Sequence, residues 1–464
     1  MLPRRDKPCN LKASFMRNFK NKKVVIMGLG LQGGGVGAAK FFCSQGADVL
    51  VTDLKNKDEL KDSLEKIKDL PVTYTLGKHK EEDFLNSDLI IKNPGVGEES
   101  PFLKTARKAG IPVETDINIF FELTEALVVG VTGTKGKSTI ASFIYKILKT
   151  HKKDVFLAGN IGVSPLEIIP KVKKGSWVVL ELSSFELEHL EKSPEIAVVC
   201  SIYPDHLNRY KNLKEYVKAK KTIYKYQGPK DFLVLNYDDP LVKKMAQDAK
   251  SQILFYSKES LPLKKFGCFL KDGKIFFKKE ALAKIEDLRI KGDHNISNAL
   301  AALTVAKILR IPSKKIKKAM SSFKGVKDRE QLVLERDGIK YVNDTTATIP
   351  EAVCSALERF SNENIVLIAG GENKGVRYEK MAEAIEKNAK SLVLLPGSAS
   401  EELKKHLKKI KVIPAFSMKE AVKKAKEKAE EGDIVLLSPG AASFNLFDNE
   451  FDRGEQFIKS ATNG

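Results

Sequence analysis

The chain has 464 residues, with 80 Lys and Arg against 60 Asp and Glu, giving a formal net charge of +20 at pH 7. That length exceeds one hydrophobic core and implies about two to four domains. No apolar run approaches the ~20 residues that span a bilayer, and no apolar stretch follows the basic first 22 residues as a secretory signal requires. The cysteines, at 9, 43, 200, 268 and 354, form no C-x-x-C pair, which suits a reducing cytoplasm and gives no sign of zinc or disulfides. The charge excess is mostly Lys on helical surfaces such as 403–411 and 419–428, without interleaved aromatics. That pattern argues against a nucleic-acid partner.

The first structured stretch is Val24-Val25-Ile26-Met27, a buried-strand run, followed by Gly28-Leu29-Gly30-Leu31-Gln32-Gly33. A helix carrying Ala38, Ala39, Phe41 and Phe42 leads to a second strand, Asp48–Asp53. G-x-G-x-x-G with an acid about 20 residues on is the dinucleotide fingerprint, and such loops hold NAD, FAD or any diphosphate. Strand signals at Val72–Leu76 and Leu89–Lys92, then the loop Asn93-Pro94-Gly95-Val96, complete a first domain ending near 115.

Val128-Val129-Gly130-Val131-Thr132 then runs into Gly133-Thr134-Lys135-Gly136-Lys137-Ser138-Thr139. The following helix places Ile140, Phe143, Ile144, Ile147 and Leu148 on one face, the spacing of a buried stripe. Strand, glycine loop and helix N-terminus make an anion site, with free amides and the positive helix end turned to the ligand. Lys137 suits the terminal phosphates of ATP, and Ser138 or Thr139 suits Mg²⁺. Gly133 and Gly136 stand closer together than in the general P-loop pattern, so this is a shorter variant.

Strand-like runs at Asp154–Ala158 and Trp177–Leu182 end in Gly159-Asn160-Ile161-Gly162 and Glu181-Leu182-Ser183-Ser184-Phe185. Ligands bind at strand C-termini in a doubly wound sheet, so Glu181 is a candidate Mg²⁺ ligand. The run Ile196–Ile202 ends in Tyr203-Pro204-Asp205-His206. A Lys-rich helix containing Lys220 follows, and Asp293-His294-Asn295-Ile296-Ser297-Asn298 opens another. From 326 onward strands at 340–343, 365–369, 392–395, 412–414 and 434–437 alternate with helices, which implies a parallel sheet. Asp344–Thr348, Gly370–Lys374 and Ser438–Phe444 follow its strands and form one ligand-facing rim. The expected fold is α/β in three domains: a Rossmann-like 1–115, a central P-loop ATPase-like 116–325 and a Rossmann-like 326–464.

The ordered set Gly133–Thr139, Asn160-Ile161-Gly162, Glu181–Phe185, Asp205-His206, His294-Asn295 with Asn298, Arg329, Asn343-Asp344, Lys374 and Ser443 resembles the Mur ligase family. These are the amino-acid-adding enzymes of peptidoglycan precursor synthesis, and the resemblance covers nearly all of the chain after residue 22. The Gly28–Gly33 loop with Asp53 resembles the branch that adds D-glutamate to UDP-N-acetylmuramoyl-L-alanine, whose first domain holds UDP rather than a dinucleotide.

The resemblance implies ATP, two Mg²⁺ ions and a CO₂-derived lysine carbamate as cofactors, and a cytoplasmic monomer with no membrane or nucleic-acid partner. It implies that Leu31, Gln32, Asp53, Lys55 and Asn93 hold the UDP portion, and Asn160 and Ser183 the muramoyl-alanine portion. Lys137 and Ser138 would serve ATP and Mg²⁺, with Glu181 and His206 as metal ligands. Lys220 would carry the carbamate, although Lys218 and Lys221 compete for that assignment. Asn295 and Asn298 would read adenine, Arg329 the phosphates and Asp344 the ribose. Thr348, Lys374, Ser443 and Phe444 would hold the incoming glutamate.

The chain departs from the family pattern at Thr346, where a lysine is usual, at Asp328, where a histidine precedes the arginine, and at Glu186, usually glutamine. Glu372-Asn373 replaces Asp-Gly, and the aromatic near Asn449-Glu450-Phe451 does not align. Other amino-acid ligases of the family, a dehydrogenase built on the first glycine loop, and a nucleic-acid-binding NTPase are the rival readings.

Overall fold

The computed structural model describes residues 18–30, 33–203, 209–290, 292–373, 376–443 and 446–463. The chain divides into two compact units, one ending at Phe323 and one beginning at Lys324.

The first unit holds two sheets. Strands β1 (Lys23–Met27), β2 (Asp48–Asp53), β3 (Val72–Leu76), β4 (Leu89–Lys92) and β5 (Val113–Glu114) are all parallel, in the order β3-β2-β1-β4-β5. The winding direction therefore reverses between β1 and β4, which leaves a crevice beyond their C-terminal ends. Helix α1 (Gly34–Ser44) starts from Gly33, whose φ of 90° is left-handed. Helix α2 (Asp116–Leu123) links the first sheet to the second, with Thr115 accepting from the amide of Asn118 as its N-cap.

The second sheet comprises β6 (Leu127–Thr132), β7 (Val155–Gly159), β8 (Trp177–Glu181), β9 (Ile196–Val199), β10 (Phe232–Asn236), β11 (Gln252–Ser257), β12 (Gly267–Lys271), β13 (Lys274–Phe277) and β14 (Glu280–Lys284). Their order is β14-β13-β12-β11-β10-β9-β6-β8-β7. The strands from β7 to β12 are parallel, and β13 and β14 are antiparallel additions at one edge. Asp272 and Gly273, both at positive φ, make the two-residue turn that joins β12 to β13.

Helices α3 (Lys137–Lys149), α4 (Leu213–Lys225) and α5 (Asp293–Ile308) belong to this part. Alternate residues of β6 and β9 enter opposite cores: Val128, Ala197 and Val199 one, Val129, Val131, Ile196 and Val198 the other. The first of these cores also contains Val24, Ile26, Val49 and Val51, so the two sheets share buried apolar surface. The second contains the whole stripe expected on α3, from Ile140 to Leu148. There Phe143 stacks on Phe323 with ring centroids 4.5 Å apart and planes 5° from parallel. Helix α5 is buried nearly all round from Asn298 to Ala306, which explains why its sequence shows little amphipathic period.

In the second unit, β15 (Gln331–Arg336), β16 (Ile339–Asn343), β17 (Ile365–Gly370), β18 (Ala389–Leu395), β19 (Val412–Pro414) and β20 (Ile434–Leu437) pair as β15-β16-β20-β17-β18-β19. The parallel sheet expected from βα alternation accounts for β16 to β20. It does not account for β15, which pairs antiparallel with β16. The reason is local: Asp337 and Gly338, at φ 54° and 70°, form a tight hairpin that leaves no room for a crossover helix. Helix α6 (Glu450–Asn463) closes the chain.

Truncating Phe143 removes both a fully buried ring and its stacking partner for Phe323. The Phe143→Ala variant is expected to lose about 3–5 kcal/mol of stability, read as a lowered denaturant midpoint for the first unit.

Candidate active site

Strand β6 lies at the centre of the reversal in the second sheet, between β9 and β8, and delivers Gly133–Thr139 to its C-terminal edge. The loop's carbonyls are occupied from behind. Thr132 O accepts from the Cys200 amide at 2.9 Å and its thiol at 3.0 Å. Gly133 O accepts from Lys220 Nζ at 2.8 Å, and Thr134 O from Lys137 Nζ at 2.9 Å. Lys135 O accepts from Cys200 Sγ and Ser201 Oγ, both at 3.0 Å.

Gly133 has φ 148°, and a Cβ there would stand 2.1 Å from Cys200 Sγ. Gly136 has φ 92°, and its Cβ would stand 2.6 Å from Asn298 Oδ1. Asn298 in turn donates to Asn295 Oδ1 at 3.3 Å, so the start of α5 leans on the glycine turn. With the carbonyls turned away, the first-turn amides of α3, which have no intrahelical acceptor, are left facing a ligand. Thr134 Oγ1 sits 3.1 Å from Tyr216 OH, and Ser138 is buried.

Neighbouring strands bring further groups to the same edge. Glu181 ends β8, next to β6, and is buried. Its Oε1 accepts from Asn160 Nδ2 at 3.3 Å, and its Oε2 has no hydrogen-bond partner among the described residues. A buried carboxylate oxygen left without a donor fits a cation ligand. No group of three His, Cys, Asp or Glu converges on one point among the described residues. His206, the other expected ligand, lies outside them, as do Leu31, Gln32, Lys374 and Phe444.

Lys220 is buried on α4, its Nζ also 4.6 Å from the Tyr216 ring centroid, whereas Lys218 is exposed and Lys221 pairs with Asp248. Tyr216, Lys220 and Tyr224 share the buried face at i, i+4, i+8. The helical period would have separated Lys220 from its neighbours.

The first glycine loop borders this edge. A Cβ on Gly33 would stand 3.4 Å from Gly162 O, and one on Gly37 2.2 Å from Ser164 Cβ. The crevice at the β1–β4 reversal is lined by Gly28, Gly34, Gly35, Lys92, Asn93 and Asp116, among others. Asn93 closes over Gly28, whose Cβ would lie 2.9 Å from Asn93 Cβ. Asp53 is buried, and its two oxygens accept from the amides of Gly30 at 3.2 Å and Lys55 at 2.9 Å. It therefore ties the glycine loop to the end of β2, while the Lys55 side chain is exposed.

Two buried acids were not singled out as site residues by the sequence. Glu186 Oε2 accepts from the Ser183 amide at 2.7 Å and hydroxyl at 2.6 Å, and the Ser183 oxygen accepts from the Glu186 amide, a capping box. Burial pushes Glu186 up to about 7, helped by the nearby charges of Asp116 and Glu181 and opposed by the Ser183 bonds. Burial likewise pushes Asp116 up to about 6. The signal for Asp116 was an acid at the head of the apolar run Ile117–Phe121.

In the second unit, Asp344, Gly370 to Asn373 and Ser438 to Ser443 follow adjacent strands β16, β17 and β20. Asp344 is buried, accepting from Ser438 Oγ at 2.8 Å and the Glu330 amide at 3.1 Å. Burial pushes its carboxyl up to about 7, while the Ser438 bond and the Arg329 charge hold it back. Two positions expected to depart from the family pattern meet here: Thr346 donates from its amide at 3.2 Å and hydroxyl at 3.0 Å to Asp328 O. The Asp328 carboxylate, also buried, accepts from Asn343 Nδ2 at 2.9 Å. Thr348 is half-buried beside them, and Ser443 is buried.

Comparison with known proteins gives three family matches in chain order. Residues 22–115 match the Mur ligase MurD-like N-terminal domain, 131–306 the Mur ligase middle domain and 328–440 the Mur ligase glutamate ligase domain. The chain is 38% identical to the UDP-N-acetylmuramoylalanine--D-glutamate ligase of Roseiflexus sp. (strain RS-1), over 94% of this chain and 97% of that one. It is 36% identical to the protein of the same name from Acetivibrio thermocellus, over 96% of this chain and 97% of that one. Among solved structures it resembles UDP-N-acetylmuramate-alanine ligase from Thermotoga maritima, with TM-score 0.59 and 22% identity over 96% of this chain and 100% of that one. It also resembles the MurF ligase of Thermotoga maritima in complex with ADP, with TM-score 0.53 and 20% identity over 90% and 95%. Those two structural likenesses establish the fold.

The raised carboxyl of Glu186 makes stability depend on pH. Its usual value is near 4.5 and its folded value about 7, so the native state holds a proton that the unfolded chain releases between them. Stability is fully present below pH ~4.5 and falls as pH rises toward ~7. Glu186→Gln keeps an acceptor for Ser183 and is expected to recover up to roughly 3 kcal/mol at pH 8. Melting curves at pH 5 and pH 8 measure it: the gap between them should narrow in the variant.

Proposed function

This chain belongs to the Mur ligase family, and we propose that it joins D-glutamate to UDP-N-acetylmuramoyl-L-alanine in an ATP-dependent amide ligation of peptidoglycan precursor synthesis. The observation that carries the proposal is the adjacency of two glycine loops in one compact unit. Gly28–Gly33 borders Asn160–Gly162, and Asn160 contacts Glu181 beside Gly133–Thr139. That arrangement suits an acceptor whose UDP end lies in the first crevice and whose carboxylate reaches the phosphate loop. A three-part division of labour with boundaries near 115 and 325, a cytoplasmic location and a monomeric state belong to the same proposal.

In this reading the acceptor carboxylate takes the γ-phosphoryl group of ATP, giving an acyl phosphate and ADP. The glutamate amine attacks the activated carbonyl, and phosphate leaves as the amide forms. Phosphoryl transfer depends on positioning and charge neutralisation more than on covalent protein chemistry. The amides of the Gly133–Thr139 loop and Lys137 hold the phosphates, with Arg329 as a further cation. Members of the family use ATP and Mg²⁺. Ser138, Glu181 and His206 would hold the metal, which supplies charge neutralisation on the phosphate oxygens.

Lys220 is the proposed carbamate: its amine would add CO₂ and release a proton, becoming an anion. The remaining N–H of the carbamate could still donate to Gly133 O. Asn160 and Ser183 would orient the muramoyl-alanine end, and Leu31, Gln32, Asp53, Lys55 and Asn93 the UDP end. Asn295, Asn298 and Asp344 would hold the nucleoside. Thr348, Lys374, Ser443 and Phe444 would hold the amino acid. The Thr346–Asp328 contact, which replaces a lysine and a histidine, supports one alternative: a ligase of this family adding a different amino acid, such as L-glutamate.

Phosphate release with ATP and UDP-N-acetylmuramoyl-L-alanine across a panel of D- and L-amino acids tests the reading. Release with D-glutamate alone is expected, and release confined to another amino acid would replace it. Lys137→Ala should abolish release in a variant that melts like the parent. Lys220→Ala should lose most activity and regain part of it with added short carboxylates, the outcome that distinguishes a carbamate from a cation at this position.

A further inference from the structure

A chain of ionic and imidazole contacts crosses from the first sheet to the second, and nothing in the proposed chemistry uses it. It begins at Lys92, the last residue of β4, whose side chain is 2% exposed. Its ammonium donates to Val96 O at 3.1 Å and pairs with Glu98 Oε1 at 2.9 Å. Both partners lie on the loop that follows Asn93. Glu98 pairs also with Arg107 at 2.5 Å and faces His189 Nε2 at 3.1 Å. His189 lies 3.6 Å from Glu188, which pairs with Arg209 at 2.9 Å and accepts from the Tyr210 hydroxyl. The order is ammonium, carboxylate, imidazole, carboxylate, guanidinium, and the His189 imidazole lies between Glu98 and Glu188.

The ends of this chain lie at the two places the ligation has to align. At one end, the Lys92 ammonium pins the loop that closes the β1–β4 crevice. Val96 Cγ2 and Asn93 Cβ would lie 3.4 and 2.9 Å from a Cβ on Gly28, so the loop rests directly on the first glycine turn. At the other end, Glu188 and His189 follow Ser183 and Glu186 by a few residues, at the C-terminal edge that carries Glu181. The His189 carbonyl is held independently by Asn118 Nδ2 at 2.9 Å, on α2. Segment 188–191 is therefore a fixed post, and Glu98 is the hook that the acceptor loop puts onto it.

We propose that Glu98 and His189 form a latch that positions the crevice-closing loop 93–100 for the acceptor, so that acceptor affinity, and not turnover, depends on their contact. They are positioning residues and touch no substrate. The Lys92–Glu98 pair, at 2.9 Å and largely buried, interacts more strongly than exposed surface pairs, and the position of the His189 imidazole is felt by Glu98 at 3.1 Å. Burying Lys92 is favourable only while Glu98 stays in place. The inference rests on the reading that the β1–β4 crevice takes the UDP-linked acceptor.

Full-length variants Glu98→Gln, His189→Gln and the double variant test it, with phosphate release at saturating ATP and D-glutamate. KM for UDP-N-acetylmuramoyl-L-alanine should rise about tenfold in each single variant. kcat and KM for ATP should stay within about twofold, and the double variant should be no worse than the worse single one. His189→Lys, which places a donor between the two carboxylates, should recover much of the loss. Unchanged acceptor KM, additive effects, or a parallel fall in kcat would overturn the latch.

Hydrogen exchange supplies a second readout, independent of the reaction. Amides 93–100 should exchange faster in His189→Gln, which leaves the Lys92–Glu98 pair intact and so keeps the fold. Unaltered exchange overturns the latch whatever the substrate. Absence of phosphate release in the parent protein, with faster exchange in the variant, would overturn the acceptor assignment alone.

Discussion

The backbone of Gly133 to Lys135 is the constraint on which the rest of the first unit depends. A phosphate loop works only if its amides point at the ligand, and that requires its carbonyls to find donors elsewhere. Here the donors are Cys200 and Ser201, which follow β9, Lys220 on α4 and Lys137 at the start of α3. Because Cys200 packs where a Gly133 side chain would sit, the loop cannot loosen without disturbing the strand beside it. The glycine is thus required by a neighbour distant in sequence, in addition to the turn.

Around that loop the chain gathers acids that are costly to bury. Glu181 and Asp116 lie close enough for their charges to help raise Glu186, and none of the three has a Lys or Arg ion-pair partner among the described residues. Such a cluster is tolerable when protons or a bound cation neutralise it. Glu186 meets the requirement by holding a proton to about neutral pH and by capping Ser183. Glu181 keeps one buried oxygen unmatched among the described residues, which fits the cation role proposed for it. The hydrogen bonding of the edge therefore separates an acid that caps its own segment from one with an unmatched oxygen, although both sit on the same short stretch.

The second unit shows a different economy. Its rim is built by backbone contacts between loops, with Glu372 and Ala442 exchanging amide bonds and a Gly371 Cβ excluded by Ala442 O. Arg453, fully buried, donates to Thr345 Oγ1, Thr345 O and Ala441 O, fastening α6 to two of those loops. Asp328 and Thr346, two of the positions expected to depart from the family pattern, are bonded to one another beside this fastening.

Much of this was legible in the residues alone. The glycine loops, the buried stripe of α3, Glu181 at the end of a strand and the βα alternation after 326 all rest on local spacing, which the chain carries in one dimension. The hairpins β12–β13 and β15–β16 escaped because short, half-polar strands have weak alternation, and only the Asp-Gly turns at 272–273 and 337–338 mark them. Lys220 stood among three lysines until the fold turned one of them inward. The burial of Asp116 and Glu186, and the Lys92–Glu98–His189 chain, were beyond reach for a stronger reason. A buried charge is defined by what surrounds it, and their surroundings come from strands and helices tens of residues away. Local sequence determined where phosphate could be held, and tertiary packing decided which charges were buried beside it.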